Sequence, residues 1–134
     1  WYGLYQKEKE YSEKNKLTNV VGSSMIWGSQ YDQMMIWMQG NGIVVTEKTP
    51  TNLDGTTTSK NTERTTGTEQ NDKLNNIYDL LGNSVEWTLE AMDMDVRACR
   101  GGSYSSSNSP SLRSSNGTPY ATNSASSRLT LYVK

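Results

Sequence analysis

The apolar residues of this chain fall in three stretches, roughly 20–45, 77–99 and 129–133, and two long polar tracts separate them. The first tract, Ile43 to Lys73, is rich in threonine, as at Thr56-Thr57-Thr58 and Thr65-Thr66. The second runs from Ser103 to Ser127, and about 18 of its 25 residues are Ser, Thr, Asn or Tyr. Neither tract holds enough apolar side chain to offset the entropy of ordering it. The core must come from the three apolar stretches, with the tracts carried as surface. Apolar residues make up only 33% of the 134, and counting glycine they reach roughly 41%, against a usual ~45–50%. That is a thin core for one domain.

The charge and the missing residue types exclude several functions. Thirteen basic side chains against fourteen acidic ones give a net charge of −1, so no basic face is expected for nucleic acid. There is no histidine and only one cysteine. A Ser-His-Asp triad, a Cys-His pair, a histidine zinc ligand, an internal disulfide and a multi-cysteine metal cage are all excluded. No apolar run approaches the ~18 residues of a membrane span, so membrane insertion is not expected. The chain opens on Trp1, and we read it as the C-terminal part of a longer protein.

Periodicity supplies the elements. Residues 1–16 begin with the cluster Trp1, Tyr2, Leu4 and Tyr5 and continue as an alternating charge run, read as a solvated helix or loop face. Tyr31, Met34, Met35 and Met38 recur at helical spacing, with Ser29 as expected N-cap, Asp32 closing an approximate capping box and Gly40 at the C′ position. Ile36 and Trp37 widen the apolar stripe and suggest a well-buried helix. The methionine-rich face reads as core rather than as an adaptable groove. Ile43-Val44-Val45 is a candidate short strand. Residues 75–83 read as a short strand or turn entering a Gly-Asn turn. Val85–Glu90, Val96–Arg100 and Arg128–Lys134 alternate like strands. In the last, Leu129, Leu131 and Val133 share one face and Thr130 and Tyr132 the other. Gly101-Gly102 between strands allows backbone conformations closed to other residues.

Three blocks carry a resemblance. Asn76-Ile77-Tyr78-Asp79-Leu80-Leu81-Gly82-Asn83-Ser84-Val85-Glu86-Trp87-Thr88 resembles the N-x-Y-D-L-x-G-N-V-x-E-W-T signature of the formylglycine-generating-enzyme (sulfatase-modifying-factor) superfamily. Arg100-Gly101-Gly102-Ser103-Tyr104 resembles its R-G-G-S-[WY] segment, and Ser127–Tyr132 its closing strand, with Ser126-Ser127 where the family has Gly-Phe. Met25–Asp32 fits more loosely at the family's helix. The resemblance implies an α+β fold of the C-type-lectin-like kind with much irregular structure, spanning 1–134 as one domain. It implies structural roles for Trp87 and Tyr78. The family can also place a calcium ion at the turn, and Gly82, Ser84 and Glu86 stand at the matching places; the alternative is a buried, hydrogen-bonded glutamate. No other cofactor is implied.

The same resemblance bears on activity. The catalytic branch carries a copper-binding cysteine pair just beyond the G-G-S-Y segment. Here Ser105, Ser106, Ser107, Asn108 and Ser109 follow, and the one cysteine, Cys99, precedes the glycines on an expected strand. Cys99 reads as a small buried hydrophobe, and no oxidase activity is expected. The tract instead resembles the variable region of diversity-generating-retroelement proteins, which use this fold for binding; an ordinary polar loop is the alternative. Its Tyr, Ser and Asn content is that of antibody paratopes. On this reading residues 103–127 form the binding surface. Tyr104 and Tyr120 are the anchors, and Ser105, Ser106, Ser107, Asn108, Arg113, Asn116 and Asn123 the polar surround. Arg113 has an equal alternative, pairing with a framework carboxylate. The expected partner is a cell-surface protein or glycan, and the expected location a phage tail or bacterial surface, outside the cell. A purely structural or assembly domain, self-associating as a homo-oligomer, is the rival reading.

Overall fold

Alternation along Val85–Asp93 and Val96–Arg100 produces the central hairpin of the molecule. The computed structural model describes residues 1–43, 63–68, 73–80, 82–104, 111–119 and 125–134. Within them the chain is a small α+β domain with a curled sheet. The helices are α1 (Tyr2–Lys9), α2 (Tyr11–Lys14) and α3 (Gly28–Gly40). The strands are β1 (Val21–Met25), β2 (Lys73–Leu74), β3 (Ile77–Tyr78), β4 (Val85–Asp93), β5 (Val96–Arg100), β6 (Ser114–Gly117), β7 (Ala125–Ser127) and β8 (Leu129–Val133). None of the described helices is long and apolar enough to cross a membrane.

Strands β4 and β5 pair antiparallel, with Trp87 opposite Cys99 and Glu86 opposite Arg100. The pleat therefore sends Trp87 and Cys99 to one face and Glu86 and Arg100 to the other. The register slips between Trp87 and Ala91, and there the Thr88 hydroxyl donates to the Ala98 carbonyl at 3.0 Å. β6 adds antiparallel to β5 and β7 adds parallel to β4, giving the order β6-β5-β4-β7. Both edge strands come from the Ser103–Ser127 tract, in which no strand was expected. Serine, asparagine and glycine carry no hydrophobic alternation to announce them.

Each face of the sheet has its own core. On the first, Met25, Trp87 and Cys99 are buried beneath Trp1, Leu4 and Tyr5 of the N-terminal segment. Trp1 stacks on Tyr5 at 5.1 Å, and its indole N–H donates to the Thr88 carbonyl at 3.0 Å. The opening segment is thus more than a solvated face: its aromatic end seals a core while Lys7, Lys9, Glu13, Lys14 and Lys16 face out. On the second face α3 buries Ile26, Tyr31, Met35, Met38 and Leu80, with Met34, Ile43, Leu74 and Ile77 packed around them. Each such apolar side chain contributes about 1.5–3 kcal/mol.

The helix differs from expectation at both ends and on its back. Trp27 is the N-cap, two residues before Ser29, and its N–H donates to the Gln30 side chain at 2.9 Å. Gly28 opens the helix because any Cβ there would lie 1.9 Å from the Glu90 carboxylate. The helix runs through Gly40; Asn41 is the C-cap, and Gly42, with φ of 78°, takes the left-handed position. Ile36 and Trp37 are 58% and 51% exposed. At about 100° per residue they lie opposite the Tyr31–Met35–Met38 stripe, so they do not widen the core.

Two smaller sheets complete the frame. Asn75 and Asn76 join β2 to β3 in a two-residue turn, both with positive φ (46° and 67°). That is the backbone of the hairpin turn whose twist matches its strands, and asparagine tolerates it. β8 pairs antiparallel with β1, Leu129 opposite Met25 and Val133 opposite Val21. Leu129 is half-buried, but Leu131 and Val133 are 49% and 86% exposed, so the expected apolar face covers core only at its first residue. Val44 and Val45, proposed as strand, lie outside the described residues, as does most of the threonine tract.

Candidate functional site

The turn before β4 anchors three separate segments. Gly82 donates to the Gly101 carbonyl at 2.8 Å, and Tyr104 donates to the Asn83 carbonyl at 2.7 Å. Gly82, Gly101 and Gly102 all take positive φ. A Cβ at Gly101 would lie 2.9 Å from the Leu80 carbonyl oxygen, which is backbone and has little room to give. The Asn83 amide grips Arg64 from both sides, accepting from its N–H at 2.8 Å and donating to its carbonyl at 2.9 Å. Asp79 accepts the Gly67 N–H at 2.9 Å. Ser84 donates to Glu63. The end of the threonine tract is therefore tied to the Asp79–Ser84 turn.

Between this turn and the β7–β8 junction lies a cleft of about 230 Å³. Asp79, Glu86, Arg128 and Asn83 give it charged and amide groups; Thr66, Ser84, Ser126 and Ser127 add hydroxyls. At its floor Glu86, 5% exposed, accepts from Arg128 on both oxygens, Nε to Oε2 at 3.0 Å and Nη2 to Oε1. Arg128 Nη2 also donates to the Tyr78 carbonyl at 3.2 Å. Burial pushes the Glu86 carboxyl up, and Arg128 pulls it back. Burial works against the Arg128 charge, yet Glu86 outweighs it and holds the guanidinium above its usual value. The two-pronged geometry is that of an ionised pair.

This arrangement does not fit a calcium ion at Glu86. Both its oxygens already face a guanidinium, which would repel a cation placed there. The carboxylate is held as the alternative reading of the sequence had it, buried and hydrogen-bonded.

The other proposed site residues go to different places. Arg113 pairs with Asp32 of α3 and with Glu90 of β4 (Nε to Oε1 2.9 Å) while staying 42% exposed. Of its two readings, the framework pairing is the one seen. Asp32 also accepts from Arg100 at 2.6 Å. Arg100 is 1% exposed, and its guanidinium lies 4.7 Å over the Tyr31 ring. Asn116 sits on the opposite face of the sheet and donates to the Cys99 sulfur at 3.4 Å. Tyr104 is at the glycine turn, half-buried. The structure thus brings Tyr104, Arg113 and Asn116 to three separate locations. Ser105, Ser106, Ser107, Asn108, Tyr120 and Asn123 lie outside the described residues. Cys99 is fully buried, and burial pushes its thiol up to about 11, so it stays a neutral thiol near pH 7.

Asp79, Arg128 and Glu90 were not singled out from sequence, and Asp32 only as a helix-capping residue. Arg128 and Asp79 lay inside the resembling blocks, which was their only signal. Glu8 was missed too. Its Oε1 accepts from Ser127 at 2.6 Å, and its Oε2 is buried with no partner among the described residues. Burial pushes this carboxyl up and Ser127 offsets only part of that. A carboxyl raised above its unfolded value, near ~4.3 for glutamate, takes up a proton on folding. Its contribution is full below the unfolded value and is lost as pH rises through the folded one. Glu8→Gln should therefore match the parent at about pH 4 and exceed its melting temperature increasingly towards pH 7. Parallel thermal melts across that range check it.

No family model, curated protein or solved structure matches the chain.

Proposed function

We propose that this is a ligand-binding domain with a C-type-lectin-like fold, displayed on a phage tail or bacterial surface, that attaches to a cell-surface protein or glycan. The observation that carries the reading is the placement of the Ser103–Ser127 tract. It leaves the framework at the Gly101-Gly102 turn, supplies both edge strands of the main sheet and returns at β8. A segment of Ser, Asn and Tyr held at both ends by strands has the adaptable hydrogen-bonding composition of a binding surface. The buried thiol of Cys99 supports a binding reading over an oxidase, because the reactive species in such chemistry is an accessible thiolate.

The test is attachment. Tyr104→Ala and Tyr120→Ala, alone and together, should weaken attachment to host cells by about tenfold or more, each tyrosine acting as an anchor worth ~1.4 kcal/mol or more. Circular dichroism should report an unchanged fold. Normal attachment by the double variant would remove these residues from the binding surface.

One observation favours the assembly reading. Trp27, Ile36 and Trp37 are each more than half exposed around α3. Self-association measured by light scattering, abolished by Trp37→Ala while attachment persists, would show that α3 serves assembly and the tract serves binding.

A further inference from the structure

We propose that the cleft above the Glu86–Arg128 pair binds a single sugar ring. This rests on the ligand-binding reading and names a chemical class for one part of it. None of Tyr104, Arg113 and Asn116 lines the cleft, although the Tyr104 N–H bonds the carbonyl of Asn83, which does. Its walls come from the Asp79–Glu86 turn, Thr66 and the Ser126–Leu129 junction.

Size comes first. About 230 Å³ lies below the ~300–1,000 Å³ of pockets that enclose drug-sized ligands, which suits one ring and not a chain of them. Polarity comes next. Leu129 is the one aliphatic side chain in the lining. An apolar ligand would strip water from carboxylates, amide and hydroxyls with nothing in exchange.

Charge then separates the polar candidates. An anion would meet Asp79 and Glu86, and a cation would meet Arg128. A neutral molecule whose groups both donate and accept meets a partner on every wall. Glu86 and Asp79 are acceptors with lone pairs beyond those already used. Among the described residues the Arg128 bonds run from Nε and Nη2, which leaves Nη1 to donate. The Asn83 amide already holds Arg64, and the Ser84 and Ser127 hydroxyls already donate to Glu63 and Glu8, so these three offer their remaining lone pairs and the second Asn83 N–H, while Ser126 can do either. Acceptor beside donor is the pattern that two neighbouring ring hydroxyls complement, one donating to a carboxylate while the other accepts from the guanidinium.

Titration of the folded chain with glucose, galactose, mannose and N-acetylglucosamine, followed by amide NMR, tests this. At least one sugar should bind with a dissociation constant on the order of 1 mM and shift the amides of Asn83, Ser84, Ser126 and Ser127. Asp79→Asn keeps an acceptor for Gly67 and a residue type that tolerates the positive φ of 49° at this position. It should weaken binding about tenfold by removing a charge-assisted bond. Thr66→Trp, at an exposed position on the rim, should block binding by a route that leaves the ion pair alone. No response to any of the four sugars, binding unaffected by both variants, or the same amides answering to methylammonium instead would each overturn the proposal. Cell attachment by the Asp79→Asn variant distinguishes the two readings. Lost sugar binding with retained attachment leaves the tract as the receptor surface, and a sugar response without attachment leaves the cleft standing alone.

Discussion

Glu86→Ala should cost about 3–5 kcal/mol of stability, enough to unfold a marginal domain. The reason is what it leaves behind. Arg128 would keep a mostly buried guanidinium, its side chain 22% exposed, with only the Tyr78 carbonyl as a hydrogen-bond partner among the described residues. Its attraction to Glu86 is what offsets the desolvation of both ions. Replacing the pair together, as Glu86→Leu with Arg128→Met, removes both charges and should recover most of the loss. Urea unfolding of Glu86→Leu, Arg128→Met and the double variant gives the coupling energy directly. Equal losses in single and double variants would mean that shape, not charge, is what this position supplies. Sugar binding should disappear in all three, since each alters the cleft floor.

The ion pairs show where the sequence was silent. Arg128 reaches Glu86 across 42 positions, Arg100 reaches Asp32 across 68 and Arg113 reaches Asp32 across 81. No local pattern encodes such pairings; they follow from which strands the sheet places side by side. Strands β4, β5 and β8 were legible because their apolar residues alternate. The stripe Tyr31–Met35–Met38 was legible for the same reason at helical period. The caps were not, because Gly28 is chosen by the approach of Glu90, a residue 62 positions away by number. Strands β6 and β7 were invisible because their residues are small and polar and their pairing is decided by their neighbours. Their recruitment also decides the fate of Arg113 and Asn116. Arg113, just ahead of β6, reaches Asp32 of α3 and Glu90 of β4, while Asn116 within β6 points to the other face and reaches the sulfur of Cys99.

Trp87→Ala should cost about 3–5 kcal/mol, and Trp37→Ala should fall within about 0.5 kcal/mol of the parent. Both are tryptophans in apolar stretches, and sequence alone placed both inward. The structure separates them. Trp87 is 1% exposed, centred between Met25 and Cys99 and roofed by the N-terminal aromatic cluster. Its removal opens a cavity that the sheet cannot close, because β5 and β7 hold its backbone from both sides. Trp37 is half exposed and loses little on truncation. If the Trp87 variant unfolds while its Trp1→Ala counterpart loses clearly less, the core belongs to the strand and the N-terminal segment is its lid. A loss at Trp1 as large as at Trp87 would instead make the stacked Trp1–Tyr5 pair an equal part of the core, since the Trp1 indole also holds the Thr88 carbonyl at the β4 irregularity.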